Sequence, residues 1–256
     1  MQVVILSGGS GSRLSEENFL KPKPMIEIGG RPIIWHIMKN FGYYGHNDFI
    51  ICLGYKQFLV KSYFAEYFLH THDIEINVET NNLKVLDERI DKWNIKLIDT
   101  GNDTKTAGRI KRVEKYLDKD FFLVYGDAVS DIDINALMKS HIDSKKILTL
   151  AAVKLSSQKG VIEIDDNSTI TSFREKSVQD SVFVNSGYMV CNKKILDYID
   201  GDDFALDDDV FPKLLDAKQI NIYKHNGFWQ MIEKEKDVKD LNKLWTNNEA
   251  TWKRWD

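Results

Sequence analysis

The chain has 256 residues, 43% of them hydrophobic and 29% charged, and its formal net charge is −4. This composition is typical of a globular protein with one good core, so a single domain over residues 1–256 is expected. The negative net charge argues against non-specific nucleic-acid binding, which depends on a basic face that neutralises phosphates.

The cysteines and the amino terminus indicate the compartment. Cys52 and Cys191 lie in separate apolar runs without metal-binding or redox spacing, so buried free thiols are expected. The first residues lack the basic flank, apolar run and cleavage site of a secretory signal, and no stretch approaches 18 apolar residues. These features predict a cytoplasmic protein with no membrane partner.

Apolar runs of strand length alternate with longer helical patterns through the first part of the chain. Strands are expected at 3–6, 49–53, 121–127 and 147–153, and helices at 32–41, 58–69 and 134–142. This order predicts an α/β fold in which a mostly parallel sheet is covered by helices on both faces. Ligands of such sheets bind at the carboxyl ends of the strands, so the 8–13 loop and the 125–127 turn should share one crevice.

Two regions depart from this alternation. Residues 73–100 alternate polar and apolar side chains, which predicts strands with one wet face, an inserted arm of the sheet. After residue 159 the chain turns to short strand patterns, followed by helical patterns around 207–217 and 236–245. No linker or repeat marks a domain boundary.

The loop at 8–13 reads GGSGSR and follows the first strand. Leu14 stands where a dinucleotide fingerprint needs its third glycine, and the loop also lacks the Gly-Lys-Ser/Thr ending of a P-loop. Glycines nevertheless let backbone N–H groups converge on an anion, and Arg13, Lys21 and Lys23 add cationic donors. A triphosphate is the expected guest; a tight glycine turn with solvated basic residues is the alternative.

Several segments resemble one enzyme family. The opening GGSGSRL and KPKPM is similar to the motif GGxGTRL…KPKPM of the sugar-phosphate nucleotidyltransferases. Similarity to their glucose-1-phosphate cytidylyltransferase branch continues through DFIICLGYK, WNIKLIDTG, GRIKRV, YGD, NGFWQ and the tryptophan-rich tail. The resemblance implies a Rossmann-like α/β/α sandwich, the nucleotidyltransferase or GT-A-like fold, with a mixed, mostly parallel sheet. It also implies a homo-oligomer that uses CTP and Mg²⁺ to make CDP-glucose for capsule or lipopolysaccharide synthesis.

In that family a phosphate oxygen of the acceptor attacks the α-phosphorus of the nucleotide and releases pyrophosphate. By resemblance, Arg13 and Lys23 would be the catalytic cations, Arg13 with Ser12 on the departing phosphates and Lys23 at the α-phosphate. The residues that would bind the nucleotide are Gly8, Gly9, Gly11, Ser12, Arg13, Gly108 and Arg109. For Arg109, a cation on a helix surface is the alternative.

Two carboxylates are the expected Mg²⁺ ligands. Asp127 ends a buried strand at the crevice, and Mg²⁺ takes one or two carboxylates together with phosphate oxygens and water. Glu233 stands where the family carries an aspartate in FWQPMD, and its extra methylene would move the oxygen by about one bond length. Asp131 and Asp133 lie near Asp127 in sequence, but a helix N-cap is the expected use for either.

The acceptor half departs from the family pattern. The expected acceptor-binding residues are Glu175, Lys176, Asn185 and Gly187. The proline, the GDG and one glycine of the family stretch are missing, and a family-like FGALDI has become KGVIEI at 159–164. Because hydroxyl-reading sites discriminate strongly, the acceptor stays open between glucose 1-phosphate, another sugar phosphate and phosphorylated L-glutamine. A non-catalytic nucleotide sensor is the alternative from another class, motivated by Glu233.

Three further clusters have simpler expected uses. His70 and His72 lack a third metal ligand and should be solvated at a helix end. The carboxyl-terminal tryptophans at 245, 252 and 255 should pack that segment onto the body or onto another subunit. The aspartates at 207–209 should cap the helix that follows.

Overall fold

The protein is described here from a computed structural model, which describes residues 1–9, 21–86, 91–155, 161–164, 170–174 and 182–255. The strands are β1 (Val3–Ser7), β2 (Glu27–Ile28), β3 (Arg31–Pro32), β4 (Asp48–Leu53), β5 (Ile74–Asn77), β6 (Asn82–Val85), β7 (Asn94–Asp99), β8 (Asp120–Tyr125), β9 (Ala128–Ser130), β10 (Leu148–Leu155), β11 (Val161–Ile164), β12 (Ile170–Arg174), β13 (Val182–Asn192), β14 (Ile220–His225) and β15 (Trp229–Met231). The α-helices are α1 (Ile33–Tyr43), α2 (Gln57–Ala65), α3 (Tyr67–Thr71), α4 (Thr106–Arg112), α5 (Ile134–Ser144), α6 (Phe211–Asp216) and α7 (Glu235–Thr246).

A seven-stranded mixed sheet organises the fold, in the order β14-β10-β13-β8-β1-β4-β7. The pairs β8–β1, β1–β4, β4–β7 and β10–β14 are parallel, whereas β13 runs antiparallel to both β8 and β10. The predicted α/β architecture with a mostly parallel mixed sheet is therefore confirmed. The carboxyl ends of β1 and β8 are neighbours, as the crevice prediction requires.

Both faces of the sheet are buried, which explains the continuous apolar strands. In β1, Val3 and Ile5 face the core beneath α1 and the carboxyl-terminal tryptophans, while Val4 and Leu6 face the core beneath α4 and α6. Successive side chains of a strand point to opposite faces, so covering both faces favours apolar residues at consecutive positions. Cys52 and Cys191 are buried free thiols in the second core, as predicted.

The helices follow the predicted patterns with one difference. Pro32 precedes α1, and Gly45, with φ of +83°, lies just beyond its end. The pattern over 58–69 forms two helices, α2 and α3, because the chain breaks its helical conformation at Glu66. No helix in the described ranges is long and apolar enough to span a membrane.

The region 73–100 divides between two sheets. Strands β5 and β6 form a separate antiparallel hairpin, the predicted arm, with mostly exposed side chains. Strand β7 instead joins the main sheet as its edge, parallel to β4. The arm is thus shorter than predicted, because hydrogen bonding to β4 recruits the last strand of the alternating segment.

Candidate functional site

A cavity of about 450 Å³ opens at the carboxyl ends of β1 and β8. Its lining includes residues from the glycine loop, the Lys-Pro segment and the turn after β8. The residues are Leu6, Ser7, Gly8, Gly9, Lys23, Pro24, Thr104, Lys105, Thr106, Arg109, Tyr125, Gly126, Asp127, Ala205 and Asp207. The predicted meeting with the 125–127 turn is therefore confirmed for Gly8 and Gly9, the described part of the 8–13 loop. Gly11, Ser12 and Arg13 lie outside the described residues.

The two described glycines of the loop differ in their surroundings. A Cβ on Gly8 would overlap the guanidinium of Arg109, whereas a Cβ on Gly9 would meet no atom of the described residues within 4 Å. The carbonyl oxygen of Gly8 accepts hydrogen bonds from the N–H of Tyr55 and from Nη2 of Arg109. Gly8 is thus required for packing beneath the loop, and Gly9 presents bare backbone to the cavity.

Arg109, on α4, is buried and ties together the ends of three neighbouring strands. Its Nη1 donates to the carbonyl oxygens of Leu53 and Gly101 and to Oγ1 of Thr100, at 3.1, 2.7 and 2.8 Å. Its Nη2 donates to the carbonyl oxygens of Gly8 and Asn102, at 3.1 and 3.2 Å. Burial lowers the pKa of Arg109.

The surface-cation alternative for Arg109 is wrong, because only 4% of the residue is exposed. Arg109 lines the cavity, as a nucleotide-binding residue should, but its Nη groups are occupied by protein acceptors. Gly108 is buried and is absent from the cavity lining; a Cβ there would collide with the backbone of Asp202. The glycine therefore permits close packing of α4 against the 202 segment.

Lys23 and Asp127 face one another across the cavity. Lys23 begins a 3₁₀ turn, Lys23–Met25, held between Pro22 and Pro24, and its Nζ lies 3.5 Å from Oδ2 of Asp127. Oδ1 of Asp127 is buried and has no hydrogen-bond partner among the described residues. Burial raises the pKa of Asp127, and the nearby Lys23 ammonium lowers it in part.

Glu233 is brought beside Asp127 by pairing of short strands. Strand β15 pairs antiparallel with β9, and the N–H of Ile232 donates to the carbonyl oxygen of Asp127 at 2.9 Å. The Glu233 carboxylate is close enough to add a further upward contribution to the Asp127 pKa. Asp127 and Glu233, the two metal ligands expected from the sequence, thus lie near one another although they are more than a hundred residues apart in the chain.

This pair fits a divalent cation of the Mg²⁺ type. The orphaned Oδ1 of Asp127 is an acceptor without a donor, and repulsion between two nearby carboxylates is relieved by a shared cation. No group of three or more His, Cys, Asp or Glu side chains forms a metal cluster within the described part of the chain. Mg²⁺ does not need one, because phosphate oxygens and water complete its coordination.

The structure also places in the cavity wall a pair that sequence reasoning missed. The hydroxyl of Tyr125 donates to Oδ2 of Asp207 at 3.0 Å, and both residues line the cavity. Asp207 lies in a π-helical turn, Leu206–Val210, before α6. In the predicted capping run, Asp209 accepts from the N–H of Ala205, whereas Asp207 points to Tyr125. The π-turn, which the local sequence pattern did not predict, explains why Asp207 contacts Tyr125 and does not cap the helix.

Asn185 and Gly187, the acceptor-binding candidates that the structure describes, lie in the part of β13 where Gly187 packs against the Tyr125 side chain. Gly187 has φ of +78°, and a Cβ there would lie 3.1 Å from the Tyr125 ring. Oδ1 of Asn185 accepts from the N–H of Gly187 at 2.9 Å, which fixes this bend in β13. Neither residue is among those that line the cavity. Glu175 and Lys176 lie outside the described residues.

Asp131, Asp133 and the carboxyl-terminal tryptophans contact other parts of the protein and do not line the cavity. Asp133 caps α5 by accepting from the N–H of Ala136, as predicted, while Asp131 instead lies 2.9 Å from Nε2 of His225. Trp252 is buried, and Trp245 and Trp255 pack against the same core, so the carboxyl-terminal segment closes onto the body as expected.

Comparisons with known proteins agree with this geometry. The family model described as Nucleotidyl transferase matches residues 2–254. The chain is 41% identical to the glucose-1-phosphate cytidylyltransferase of Salmonella typhi and 36% identical to the probable glucose-1-phosphate cytidylyltransferase of Bacillus subtilis, with 100% of each chain covered. The crystal structure of HddC from Yersinia pseudotuberculosis complexed with GMP-PN is 24% identical with a TM-score of 0.69, covering 95% of this chain and 99% of that one, and supports the fold.

Proposed function

Because this chain belongs to the nucleotidyl transferase family, we propose that it joins CMP from CTP to glucose 1-phosphate, giving CDP-glucose and pyrophosphate. The observation that carries the proposal is the convergence of Lys23, Asp127 and the glycine turn on one cavity. The full-length similarity to glucose-1-phosphate cytidylyltransferases supports the choice of nucleotide and acceptor.

The reaction is an in-line displacement at phosphorus. A phosphate oxygen of glucose 1-phosphate forms a bond to the α-phosphorus of CTP as the bond to the pyrophosphate oxygen breaks, and the charge leaves on pyrophosphate. Such a step needs little covalent help, so positioning and charge stabilisation supply most of the rate. The cavity of about 450 Å³ lies within the usual range for small-molecule sites.

Individual residues take roles that follow from their places in the cavity. The exposed backbone of Gly9 would let the nucleotide approach closely, and the Lys23 ammonium would stabilise charge at the α-phosphate. Ser12 and Arg13 would hold the departing pyrophosphate. Arg109 would fix the backbone beneath the loop through Gly8, and its charge would add to the positive potential there.

Asp127 and Glu233 would hold Mg²⁺. The ion, when bound, would neutralise phosphate charge and polarise phosphate oxygens. In its absence, the Lys23 ammonium is the cation that faces Asp127. When the nucleotide binds, the Lys23 ammonium would therefore leave the Asp127 carboxylate and contact phosphate oxygens instead.

The direct test incubates the protein with CTP, Mg²⁺ and glucose 1-phosphate and measures pyrophosphate. Parallel reactions replace glucose 1-phosphate with other sugar phosphates or phosphorylated L-glutamine, since the 175–189 sequence departs from the family pattern. Turnover with glucose 1-phosphate would support the proposal. Faster turnover with another acceptor would contradict glucose 1-phosphate as the substrate and CDP-glucose as the product. Binding of CTP by calorimetry without pyrophosphate release from any acceptor would indicate a sensor and contradict the proposal.

The cellular setting is proposed with the reaction. A cytoplasmic homo-oligomer would supply CDP-glucose for capsule or lipopolysaccharide synthesis. Exposed apolar side chains at Phe58 and Val78, 73% and 88% exposed, support self-association through the α2–α3 and β5–β6 side. Sedimentation compares the mass of the wild type in solution with that of a Phe58→Ser/Val78→Ser variant. A monomeric wild type would contradict self-association, and an oligomer of the same size in both proteins would contradict the role of this surface.

A further inference from the structure

A second cavity, of about 560 Å³, lies at the opposite end of the sheet from the first. Its walls come from the residues that begin β8, the residues that precede β10 and β14, and the residues that end and follow the antiparallel β13. It shares no lining residue with the cavity at the carboxyl ends of β1 and β8. We propose that this second cavity binds a phosphorylated metabolite at a site separate from that of nucleotidyl transfer.

Positive charge is concentrated around this cavity. Lys119 precedes β8, Lys145 and Lys146 lie between α5 and β10, and Lys194 follows β13. None of the four forms an ion pair within 4 Å with a carboxylate of the described ranges. The whole chain carries a net charge of −4, so this cluster runs against the overall balance. A cleft lined by one sign of charge attracts and concentrates ions of the other sign.

The carboxylate in the wall does not neutralise these lysines. Oδ1 of Asp120 accepts a hydrogen bond from Nδ2 of Asn192 at 2.6 Å and lies 3.8 Å from Nε2 of His141. His141 is buried, and its Nδ1 lies 2.9 Å from Oγ1 of Thr149. Asp120 is therefore engaged within the wall, and the ammonium groups of Lys119, Lys145 and Lys194 remain available to an anion.

The backbone holds part of the cluster in place. Lys145 ends α5 in the left-handed conformation, with φ of 55°, and its N–H donates to the carbonyl oxygens of His141 and Ile142. The next ammonium, on Lys146, donates to the carbonyl oxygen of Lys218 at 2.6 Å. The backbone of Lys145 and the ammonium of Lys146 are thus held in place, which reduces the conformational freedom lost when a ligand binds.

The other wall residues suit the body of a small polar molecule. The side-chain amide of Gln219 and the Tyr198 hydroxyl belong to residues that line the cavity, and neither group forms a hydrogen bond with other described residues. Ile142 and Ile147 supply apolar surface. Small-molecule sites combine such surface with a few polar groups in volumes of about 300–1,000 Å³. Together with several ammonium groups, this favours a phosphate ester over a bare inorganic ion.

The first experiment titrates the whole protein with inorganic pyrophosphate, without Mg²⁺, by calorimetry. Two binding sites are expected in the wild type, and the one in the first cavity should be lost in Arg13→Met, because Arg13 is the residue proposed to hold pyrophosphate there. In Lys119→Gln/Lys145→Gln/Lys194→Gln the other site should weaken by at least about tenfold, because three charge-assisted contacts are removed. The matched control, Lys84→Gln/Lys236→Gln/Lys239→Gln, removes the same charge from exposed positions outside both cavities and should keep both sites.

The outcomes separate this proposal from simpler explanations. Equal weakening in both triple variants would indicate long-range charge alone and overturn the proposal, as would a single site that disappears in Arg13→Met. In the Arg13→Met background, glucose 1-phosphate should bind more tightly than inorganic phosphate, and adding Lys119→Gln/Lys145→Gln/Lys194→Gln should abolish this preference. A preference that persists in the combined variant would place it at the acceptor site and overturn the proposal; equal affinity of the two ligands would leave an adventitious ion only and also overturn it.

A second measurement does not depend on the variants' folding. In wild-type protein carrying ¹³C-methylated lysines, the resonances of Lys119, Lys145 and Lys194 should shift together on addition of pyrophosphate, and unmoved resonances would contradict the site. Pyrophosphate release from CTP is measured separately in the cavity triple variant, where it should persist. Failure of that assay in the wild type would concern the proposed function and leave the second site unaffected.

Discussion

The ammonium nitrogen of Lys23 lies 3.5 Å from Oδ2 of Asp127, and both side chains line the cavity formed with Gly8 and Gly9. The two residues are 104 positions apart and meet because β1 and β8 are adjacent parallel strands. The proposed phosphate-binding cation thus lies beside the proposed metal ligand.

Lys23→Met should lower kcat for pyrophosphate release by about 10²–10³-fold, the usual effect of removing one group that stabilises transition-state charge. Lys21→Met is the matched control. Lys21 forms an exposed ion pair with Glu27, and such pairs contribute little. Steady-state kinetics with CTP and the acceptor measure both variants, and similar losses in the two would contradict the role of Lys23.

Asp127→Asn should abolish the response of turnover to Mg²⁺, and Glu233→Gln should raise the Mg²⁺ concentration for half-maximal rate by at least about tenfold. Glu233→Asp should keep the response, because the carboxylate remains. Asp133→Asn is the control, since asparagine caps a helix as well as aspartate does. Mg²⁺ titrations of pyrophosphate release test the set, and an unchanged titration in Asp127→Asn would remove the proposed metal site.

Gly8→Ala and Gly9→Ala should differ in kind. The new Cβ at position 8 would overlap the Arg109 guanidinium, so the free energy of unfolding should fall by about 1–3 kcal/mol. At position 9 the Cβ meets open space, so stability should stay within about 0.5 kcal/mol while KM for CTP rises. Urea unfolding and CTP kinetics check the pair. A Gly9→Ala enzyme with wild-type KM would mean that the nucleotide does not lie against this backbone.

Arg109→Met should destabilise the fold by about 1–3 kcal/mol, because the carbonyl oxygens of Gly101 and Asn102 lose the guanidinium as donor, while those of Gly8 and Leu53 keep the N–H groups of Tyr55 and Thr100. Arg112→Met, on the same helix, removes an exposed ion pair with Asp202 and should leave the unfolding midpoint unchanged. Urea denaturation followed by circular dichroism compares the two. Equal midpoints would show that the hydrogen bonds of Arg109 add nothing to stability.

His36 should make stability depend on pH. Its Nε2 lies 2.9 Å from the carbonyl oxygen of Ile28, and its Nδ1 accepts from Nε1 of Trp252 at 3.4 Å, which fits a neutral ring with the proton on Nε2. Burial lowers the pKa of His36 from 6.5 to about 4. Burial also lowers the pKa of His46 to about 4.

Between pH 6.5 and about 4 the unfolded chain binds protons that the folded chain excludes, so stability should fall as the pH falls through this window. The contribution of His36 is about 3 kcal/mol across the window. His36→Gln should reduce the slope and leave the shares of His46 and His141, whose pKa values burial also lowers. Urea unfolding at several pH values measures the slope, and parallel curves for wild type and variant would contradict this assignment.

The main architecture could be predicted from the sequence because it depends on local periodicity. Continuous apolar runs identify strands buried on both faces, and the expected strands near β1, β4, β8 and β10 all exist. Parallel strands gather their carboxyl ends at one edge, so the meeting of Gly8 with Asp127 followed from strand order alone. The pairing of Glu233 with that edge came from the family motif, and the hydrogen bond from Ile232 to the Asp127 carbonyl supplies its physical basis.

Other features depend on contacts between segments that no local pattern relates. The acceptors of Arg109 come from the ends of β1, β4 and β7, the Tyr125–Asp207 hydrogen bond needs a π-turn, and the lysines of the second cavity come from three separate connections. Periodicity reports which side of an element is buried, because burial repeats with the helix or strand. Which distant donor meets which acceptor is decided only when the sheet order and the packing of α4 bring those groups within hydrogen-bonding distance.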